Sequence, residues 1–467
     1  MSSFPSNHKR NLFSEIYSLF RQSLSGEQRD YTTGGMRRAI FLLSIPMILE
    51  MCMESVFALV DLFFVGRIGK EAVAAVGLTE SVLTLVYSVA IGLSMAATAM
   101  VARRVGEKQP EAAAHAAAQS ILVSICITLV MSLVGASFAP LILKTMGASP
   151  QTVIMGSSFM RIQFSFSIVI VLIFLINGIF RGAGNASMAM WSLWVANGCN
   201  IILCPILIHY FGLRGAAIAT TTGRGIGVCF QLYHLLRGSG LFRIARKYFI
   251  PDRALIKSLL KIAWTGTAQF LVNSASWIVL VRIMARYGDT AIAGYQVAIR
   301  VVVFFLLPAW GMSNAAATLV GQNLGARLPE RAALSVRAVA LYNAIFMGAV
   351  SVLLLIAAGP IVSFLNKDPM VDEIAIHGLH IIGLGYVFYG VGMVLTNAFN
   401  GAGDTRTPTI VNLLCFWAFQ IPMAWFLAIS LGLGPNGVFW AFLLAETALT
   451  AVSWVIFRKG KWKKVKI

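Results

Sequence analysis

The chain has 467 residues, of which 58% are hydrophobic and only 12% are charged, and its net charge is +19. Soluble proteins carry about 25% charged residues, so this chain lacks the polar surface of a soluble domain and its apolar residues must face lipid. The basic residues lie between apolar stretches and not on one compact face, which argues against a nucleic-acid partner. The composition therefore predicts a protein embedded in a membrane.

Apolar stretches recur along the chain after a polar, basic N-terminal segment. We expect residues 1–38 to form a cytoplasmic tail, 39–237 an N-lobe, 238–257 a basic cytoplasmic linker, 258–458 a C-lobe and 459–467 a basic cytoplasmic tail. Each lobe holds six apolar stretches long enough to cross a ~30 Å hydrocarbon core. The predicted spans lie near residues 39–64, 76–102, 117–140, 152–177, 188–210, 214–237, 258–285, 292–320, 335–358, 374–399, 408–431 and 436–458.

The two halves of the chain are related by an internal repeat. Residues 92–114 align without a gap with residues 311–333, with ten identities in 23 positions at a spacing of 219 residues. The same spacing relates residues 180–185 (FRGAGN) to residues 399–404 (FNGAGD). Because each half has an even number of spans, both halves enter the membrane in the same orientation. The sequence predicts an all-α membrane protein of twelve transmembrane helices, in two six-helix lobes related by a parallel internal repeat.

Lys and Arg residues are concentrated in the segments that would face one side of the membrane. With both termini in the cytoplasm, 27 of the 37 Lys and Arg residues fall in cytoplasmic segments. This asymmetry is the usual orientation signal of inner-membrane proteins. We therefore expect a multi-pass protein of the plasma (bacterial inner) membrane with both termini in the cytoplasm.

Three acids lie inside the first predicted span, at Glu50, Glu54 and Asp61. An ionised acid in a span costs about 2.5–3.5 kcal/mol or more, so such residues commonly serve a function. At 3.6 residues per turn the three share one helix face, which should point into the bundle or a water-filled cavity. Neighbouring carboxylates there take up a proton or share a cation; the alternative is a polar stripe satisfied by nearby hydroxyls and amides. Pro46, early in the same span, is predicted to bend the helix.

Other polar residues inside the spans form the rest of a candidate site. Asn200 and Cys204 lie in the fifth span and Thr220 in the sixth, where amides and hydroxyls either coordinate an ion or join helices by hydrogen bonds. The second half has no comparable acidic stripe, so ion coupling is expected in the first half. The residues predicted to line a substrate cleft are Asn177, Asn197, Gln269, Asn273, Gln296 and Arg300.

The sequence contains no phosphate-binding glycine loop, nucleotide-binding motif or nucleophile–base arrangement. We therefore expect neither an enzyme nor a cofactor, and any work of transport must come from an ion gradient or from downhill flow. Aromatic and Met side chains suit a pocket for apolar cations, although ordinary helix packing explains them about as well.

Several motifs occur together in this chain. Pro46 precedes Asp61 by fifteen residues, Gly-x-Ser-x-Ala-Ala begins at residues 92 and 311, Arg-Gly-Ala-Gly occupies 181–184, and Gly-Ala-Gly-Asp-Thr occupies 401–405. With these motifs the chain resembles the multidrug and toxic compound extrusion (MATE) family over about residues 36–455. Within the family, the chain resembles the prokaryotic branch of the DNA-damage-inducible F protein. The resemblance implies two lobes around a central cleft, rocking between inward-open and outward-open states.

The resemblance also implies roles for particular residues. Asp61 would be the coupling residue, completed by Asn200 and Thr220, with Glu50 and Glu54 on the same stripe. Cys204 stands where the family has an Asp, and this departure removes one hard oxygen ligand from a Na⁺ site at Asp61, Asn200 and Thr220. Glu54 stands where the family often has Gln and is expected to replace the missing carboxylate. Both H⁺ and Na⁺ stay open as coupling ions, and H⁺ is favoured.

Three functions compete. The first is a secondary antiporter that exports organic cations, drugs or metabolites in exchange for H⁺, with Na⁺ as the alternative. The second is a flippase for lipid-linked oligosaccharides, which predicts a cationic cleft that Arg224 and Arg300 would supply. The third is a membrane scaffold, which has no need of the acidic stripe. We favour the antiporter, with a small-molecule substrate, the bilayer as its surroundings and a monomer as the default state.

Overall fold

The structure of the protein, a computed structural model, describes residues 12–26, 30–238 and 242–467. Residues 1–11 and 27–29 of the predicted N-terminal tail and 239–241 of the predicted linker lie outside the described residues, as do the side chains of residues 12–16, 62 and 70. Within the described part the chain is almost entirely helical, as predicted. The α-helices are α1 (Leu12–Leu24), α2 (Met36–Gly66), α3 (Lys70–Gly106), α4 (Pro110–Ser137), α5 (Ala139–Thr145), α6 (Pro150–Ser165), α7 (Ser167–Gly182), α8 (Ala186–Phe211), α9 (Leu213–Arg237), α10 (Arg253–Met284), α11 (Asp289–Gly325), α12 (Pro329–Leu365), α13 (Pro369–Gly401), α14 (Arg406–Asn412), α15 (Ile421–Trp425) and α16 (Pro435–Lys459).

Most of these helices can cross a membrane. Among the described residues, nine spans are long and apolar enough, and α6 with α7, which meet at 44°, make a tenth. One of the nine is Arg406–Ser430, in which π-helical segments join α14 to α15 and extend α15, so that the whole forms one span. Helices α2 and α9 are 31 and 25 residues long but carry acidic or basic residues. The predicted count of twelve spans rests on these two helices and stays a prediction.

Helix α12 shows the surface that a bilayer requires. The large apolar side chains of Leu341, Ile345, Val352 and Ile356 are exposed and recur at helical spacing on one face. A soluble monomer rarely exposes an apolar stripe of this length. This face of α12 therefore lies against hydrocarbon.

The first helix of each half packs against the opposite half. Helix α2 lies along α11 and α10 lies along α3, and both contacts are more extensive than those of α2 with α3 or of α10 with α11. The repeated Gly-x-Ser blocks lie at these two crossings. A Cβ atom on Gly311 would overlap the carbonyl oxygen of Met47, and one on Gly92 would overlap that of Ala263. The repeat found in the sequence thus encodes the close approach of the two lobes.

The lobes also meet at one end of the bundle, where α2 begins and α16 ends. We call this contact the lobe seam. Gly106 and Gly325 lie at its centre, and a Cβ on Gly325 would overlap the carbonyl oxygen of Arg103. Across the seam, Gln322 Nε2 donates a 3.0 Å hydrogen bond to the carbonyl oxygen of Gly182. The two lobes are therefore closed against each other at this end.

Candidate functional site

The acidic face of α2 is turned into the N-lobe. Glu50 is only 1% exposed, and Glu54 and Asp61 are half-buried. Each acid meets side chains of other N-lobe helices, so the carboxylates lie at three successive levels along α2. The helix continues through Pro46 without interruption, and the predicted bend at that residue stays a prediction.

The deepest level surrounds Glu50. Asn177 on α7 donates a 2.9 Å hydrogen bond to Glu50 Oε1, and Arg181 Nη1 lies 3.7 Å from the same oxygen. Gln231 on α9 donates a 2.6 Å hydrogen bond to Asn177 Oδ1. Glu50 Oε2 has no hydrogen-bond partner among the described residues. Asn177, predicted to line a substrate cleft, is therefore a buried partner of the deepest acid.

The middle level is built on Glu54. Asn197 on α8 donates a 3.0 Å hydrogen bond to Glu54 Oε2, and Arg224 Nη2 on α9 lies 3.5 Å from Glu54 Oε1. The Arg224 side chain is 4% exposed, and its guanidinium lies 5.6 Å from the ring centre of Phe57 and 5.5 Å from that of Tyr87. A guanidinium removed from water in this way depends on nearby carboxylates and aromatic faces for its stability.

The upper level contains Asp61 and the residues that the family resemblance singled out. Cys204 Sγ lies 3.8 Å from Asp61 Oδ1 and donates to it, and Asn200 Nδ2 donates a 3.1 Å hydrogen bond to Thr220 Oγ1. Asn200 Oδ1 is buried without a hydrogen-bond partner in the described structure. Asn200 and Cys204 are one turn apart on α8, so the side chains of both lie on the same face of that helix.

Glu80 on α3 completes the group, and sequence reasoning did not single it out. Its side chain is exposed, and its electrostatic neighbours are Arg224, Asp61 and Glu54. Arg224 and these three acids, called the Arg224 cluster below, thus combine one cation with three carboxylates from α2 and α3. The sequence alone could have indicated Glu80, since an acid inside a predicted span is unusual. It could not have indicated Arg181 in this way, because a basic residue at a helix end is ordinary.

The predicted cleft residues of the C-lobe lie apart from these contacts. Gln269 is buried, Asn273 is half-buried, and Gln296 and Arg300 are exposed. None of the four hydrogen-bonds to an α2 acid within the described residues. The same part of the chain contains no group of three or more His, Cys, Asp or Glu side chains that could hold a metal ion.

Comparison with known proteins assigns the chain to a family. The sequence model of the MatE family matches the chain twice, over residues 46–206 and 266–426. The chain belongs to the MatE family. The two matches cover corresponding stretches of the N-lobe and C-lobe and confirm both the predicted membership and the duplicated architecture. MatE proteins are membrane transporters and not enzymes, and this chain is accordingly a multi-pass transporter of small molecules.

Relatives and solved structures resemble the chain along nearly its whole length. It is 25% identical to "Probable multidrug resistance protein NorM" of Thermotoga maritima, over 96% of this chain and 97% of the relative. It is 24% identical to "Multidrug export protein MepA" of Staphylococcus aureus, over 90% and 93% of the two chains. A solved structure described as the outward-facing conformation of a multidrug resistance MATE transporter is 25% identical, with a TM-score of 0.88, and covers 93% of this chain and 98% of its own.

Proposed function

We propose that this MatE transporter exports organic cations, such as drugs or metabolites, in exchange for protons across the plasma membrane. The observation that carries the proposal is the Arg224 cluster, in which one buried guanidinium lies 3.5 Å from Glu54 and has Asp61 and Glu80 as further electrostatic neighbours. With all four groups ionised the cluster would carry more negative than positive charge, around a guanidinium that is only 4% exposed. Binding a proton or a cationic substrate relieves that charge.

A proton suits the cluster better than Na⁺. A hard cation requires several oxygen ligands, and Cys204 presents sulfur to Asp61 at the place where the family has an Asp. Arg224 acts on the charge of Asp61 and repels a second fixed cation, whereas a proton needs only one carboxylate oxygen. Asp61, Glu54 and Glu80 are therefore proposed as proton carriers, with Asn200 and Thr220 as neutral hydrogen-bonding neighbours.

The same charges favour a cationic substrate over a lipid-linked oligosaccharide. The flippase alternative predicted a cationic cleft, whereas the N-lobe site combines the four acids Glu50, Glu54, Asp61 and Glu80 with two guanidiniums. The aromatic rings of Phe57 and Tyr87 already lie against the Arg224 guanidinium, at 5.6 and 5.5 Å, which is the kind of contact that an organic cation makes with aromatic faces. The multidrug names of the relatives agree with this substrate class.

Alternating access is proposed to occur by rocking of the two lobes. The lobes are closed at the lobe seam through Gly106 and Gly325, while Glu80 is exposed on the outer part of α3. We place both termini in the cytoplasm, so the closed seam is proposed to face the cytoplasm and protons are proposed to reach the cluster from outside. One chain supplies both lobes, and we propose a monomer as the transporting unit.

The test is transport in proteoliposomes that contain purified protein and an imposed ion gradient. Uptake of ethidium driven by a pH gradient is expected with wild type and is expected to be lost in Asp61→Asn. The matched control is Glu373→Gln, which neutralises an exposed acid on α13 outside the cluster, and it should transport like wild type. Transport that follows a Na⁺ gradient and ignores a pH gradient would overturn proton coupling. Full activity of Asp61→Asn would overturn the assigned site.

A further inference from the structure

A cavity of about 980 Å³ opens at the lobe seam, well away from the Arg224 cluster. Its walls are the turn between α3 and α4, the turn between α11 and α12, and the C-terminal segment 463–466. Basic side chains line it from both lobes: Arg103, Arg104 and Lys108 from the N-lobe, Arg327 from the C-lobe, and three lysines from the C-terminal segment. Glu107 is the one acid among the lining residues of the described chain.

Two of these basic residues have an uncommon backbone. Lys108 and Arg327 occupy equivalent positions in the repeat, and their φ angles of 60° and 59° lie in the left-handed region. These are the two non-glycine residues of the described chain with positive φ. A left-handed residue with a side chain costs about 1–2 kcal/mol, and glycine ordinarily takes such positions after a helix. Long basic side chains in both places bring positive charge from each lobe to the same cavity.

Acids compensate only part of this charge. Arg104 pairs with Glu107 at 2.7 Å, Lys463 pairs with Glu330 at 2.8 Å, and Lys108 pairs with Asp30. Arg103 Nη2 donates a 2.7 Å hydrogen bond to the carbonyl oxygen of Val465. The remaining cations, Arg327, Lys464 and Lys466, have no acidic partner in the described part of the chain. Like charges that share one cavity repel each other, so an anion bound there would stabilise the closed seam.

We propose that this cavity binds a phosphate-bearing anion that bridges the two lobes. Arg and Lys side chains together supply the several charged donors that phosphate oxygens accept. The volume exceeds that of one phosphate and lies near the upper end of ordinary small-molecule sites. Two sources share this chemistry: the headgroup of an anionic phospholipid, which basic pockets at the cytoplasmic face bind, and a soluble polyphosphate compound.

Binding here would act on conformation and not on the transport site. The cavity lies where the lobes meet, since its lining includes Gly106 and Gly325, whose lack of a Cβ atom allows the close approach. Separation of the lobes would move Arg327 away from Lys108. A ligand that binds only the closed seam shifts the population toward that state. This inference does not depend on the identity of the exported substrate or of the coupling ion.

The experiment measures thermal unfolding of the full chain by tryptophan fluorescence. In one arm, pyrophosphate is added to protein in phosphatidylcholine nanodiscs, against chloride at equal ionic strength. In the other arm, the nanodiscs contain phosphatidylglycerol. A rise in the unfolding midpoint in the first arm alone identifies a soluble phosphate compound, and a rise in the second alone identifies a lipid headgroup. No rise in either arm, or the same rise with chloride, would overturn the proposal.

Variants decide whether the cavity is the site. Arg327→Gln combined with Lys464→Gln removes two charged donors and is expected to raise the apparent Kd for the active anion about tenfold or more. Lys257→Gln removes the same kind of charge from an exposed position on α10 outside the cavity and should bind like wild type. If the double variant does not fold, Lys464→Gln alone, at an exposed position, serves instead. Unchanged binding in the cavity variant would overturn the proposal.

Discussion

Arg181 connects the buried acid Glu50 to the contact between the lobes. Its Nη1 lies 3.7 Å from Glu50 Oε1, and its own carbonyl oxygen accepts a 3.1 Å hydrogen bond from Thr318 Oγ1 of the C-lobe. The next carbonyl oxygen, of Gly182, accepts from Gln322. The residue that pairs with the deepest acid thus lies in the segment through which the N-lobe contacts the C-lobe.

Arg181→Gln is expected to destabilise the protein because it leaves Glu50 as a buried, unpaired charge. Breaking one partner of a buried pair costs about 3–5 kcal/mol, whereas removing both is far less harmful. The double variant Glu50→Gln, Arg181→Gln should therefore recover most of the lost thermal stability in detergent. A double variant as unstable as Arg181→Gln alone would show that the guanidinium acts through its other contact, the 3.4 Å hydrogen bond to Ser94.

Cys204→Asp is expected to create a Na⁺ response that wild type lacks. The change places a second carboxylate opposite Asp61, on the helix face that also carries Asn200 with its unpartnered Oδ1, and so increases the number of hard oxygen ligands. The measurement is the dependence of transport and of thermal stability on Na⁺ at constant ionic strength. Cys204→Ser, which keeps the size but adds no charge, serves as control. A wild type already stabilised by Na⁺ would contradict the reasoning.

Gly311→Ala is expected to destabilise the crossing of α2 and α11, because its Cβ would overlap the carbonyl oxygen of Met47. Backbone cannot yield as a flexible side chain can, so one methyl group should lower the unfolding midpoint markedly. Gly77→Ala on α3 is the matched control, since nothing lies within 4 Å of the Cβ that Ala would add there. At that position the higher helix propensity of Ala, about 1 kcal/mol, should leave stability unchanged or raised. Equal effects at both glycines would argue against a tight crossing.

Acidification is expected to loosen the C-terminal segment from α12. The hydrogen bond and charge of Lys463 hold the pKa of Glu330 below its ordinary value of 4.5. A depressed carboxyl pKa favours the folded contact above that ordinary value, and the contribution is lost as the pH falls through the lowered pKa. Trp462, buried and stacked 5.1 Å from Phe457, should report the change in its fluorescence. In Lys463→Gln the acid transition should move toward the ordinary pKa of Glu330.

The acids of α2 could be singled out from the sequence because a carboxylate in an apolar span is costly and therefore conspicuous. Their partners were found only in part, because Asn197 and Asn177 are polar residues of a common kind and nothing in the sequence says which acid each would meet. Glu80 carried the same signal as the α2 acids and was missed, and Arg181 carried none.

Composition, periodicity and the repeat spacing of 219 residues determined by themselves that this is a duplicated, all-helical membrane protein, because lipid imposes apolar length and closed backbone hydrogen bonding on every span. Only the tertiary structure decided that Arg224 pairs with Glu54 and has Asp61 and Glu80 as electrostatic neighbours. It also decided that the repeated glycines lie at the crossings and that Lys108 and Arg327 line one cavity. These relationships join residues far apart in the chain, and contacts of that kind depend on how helices pack, which local sequence does not specify.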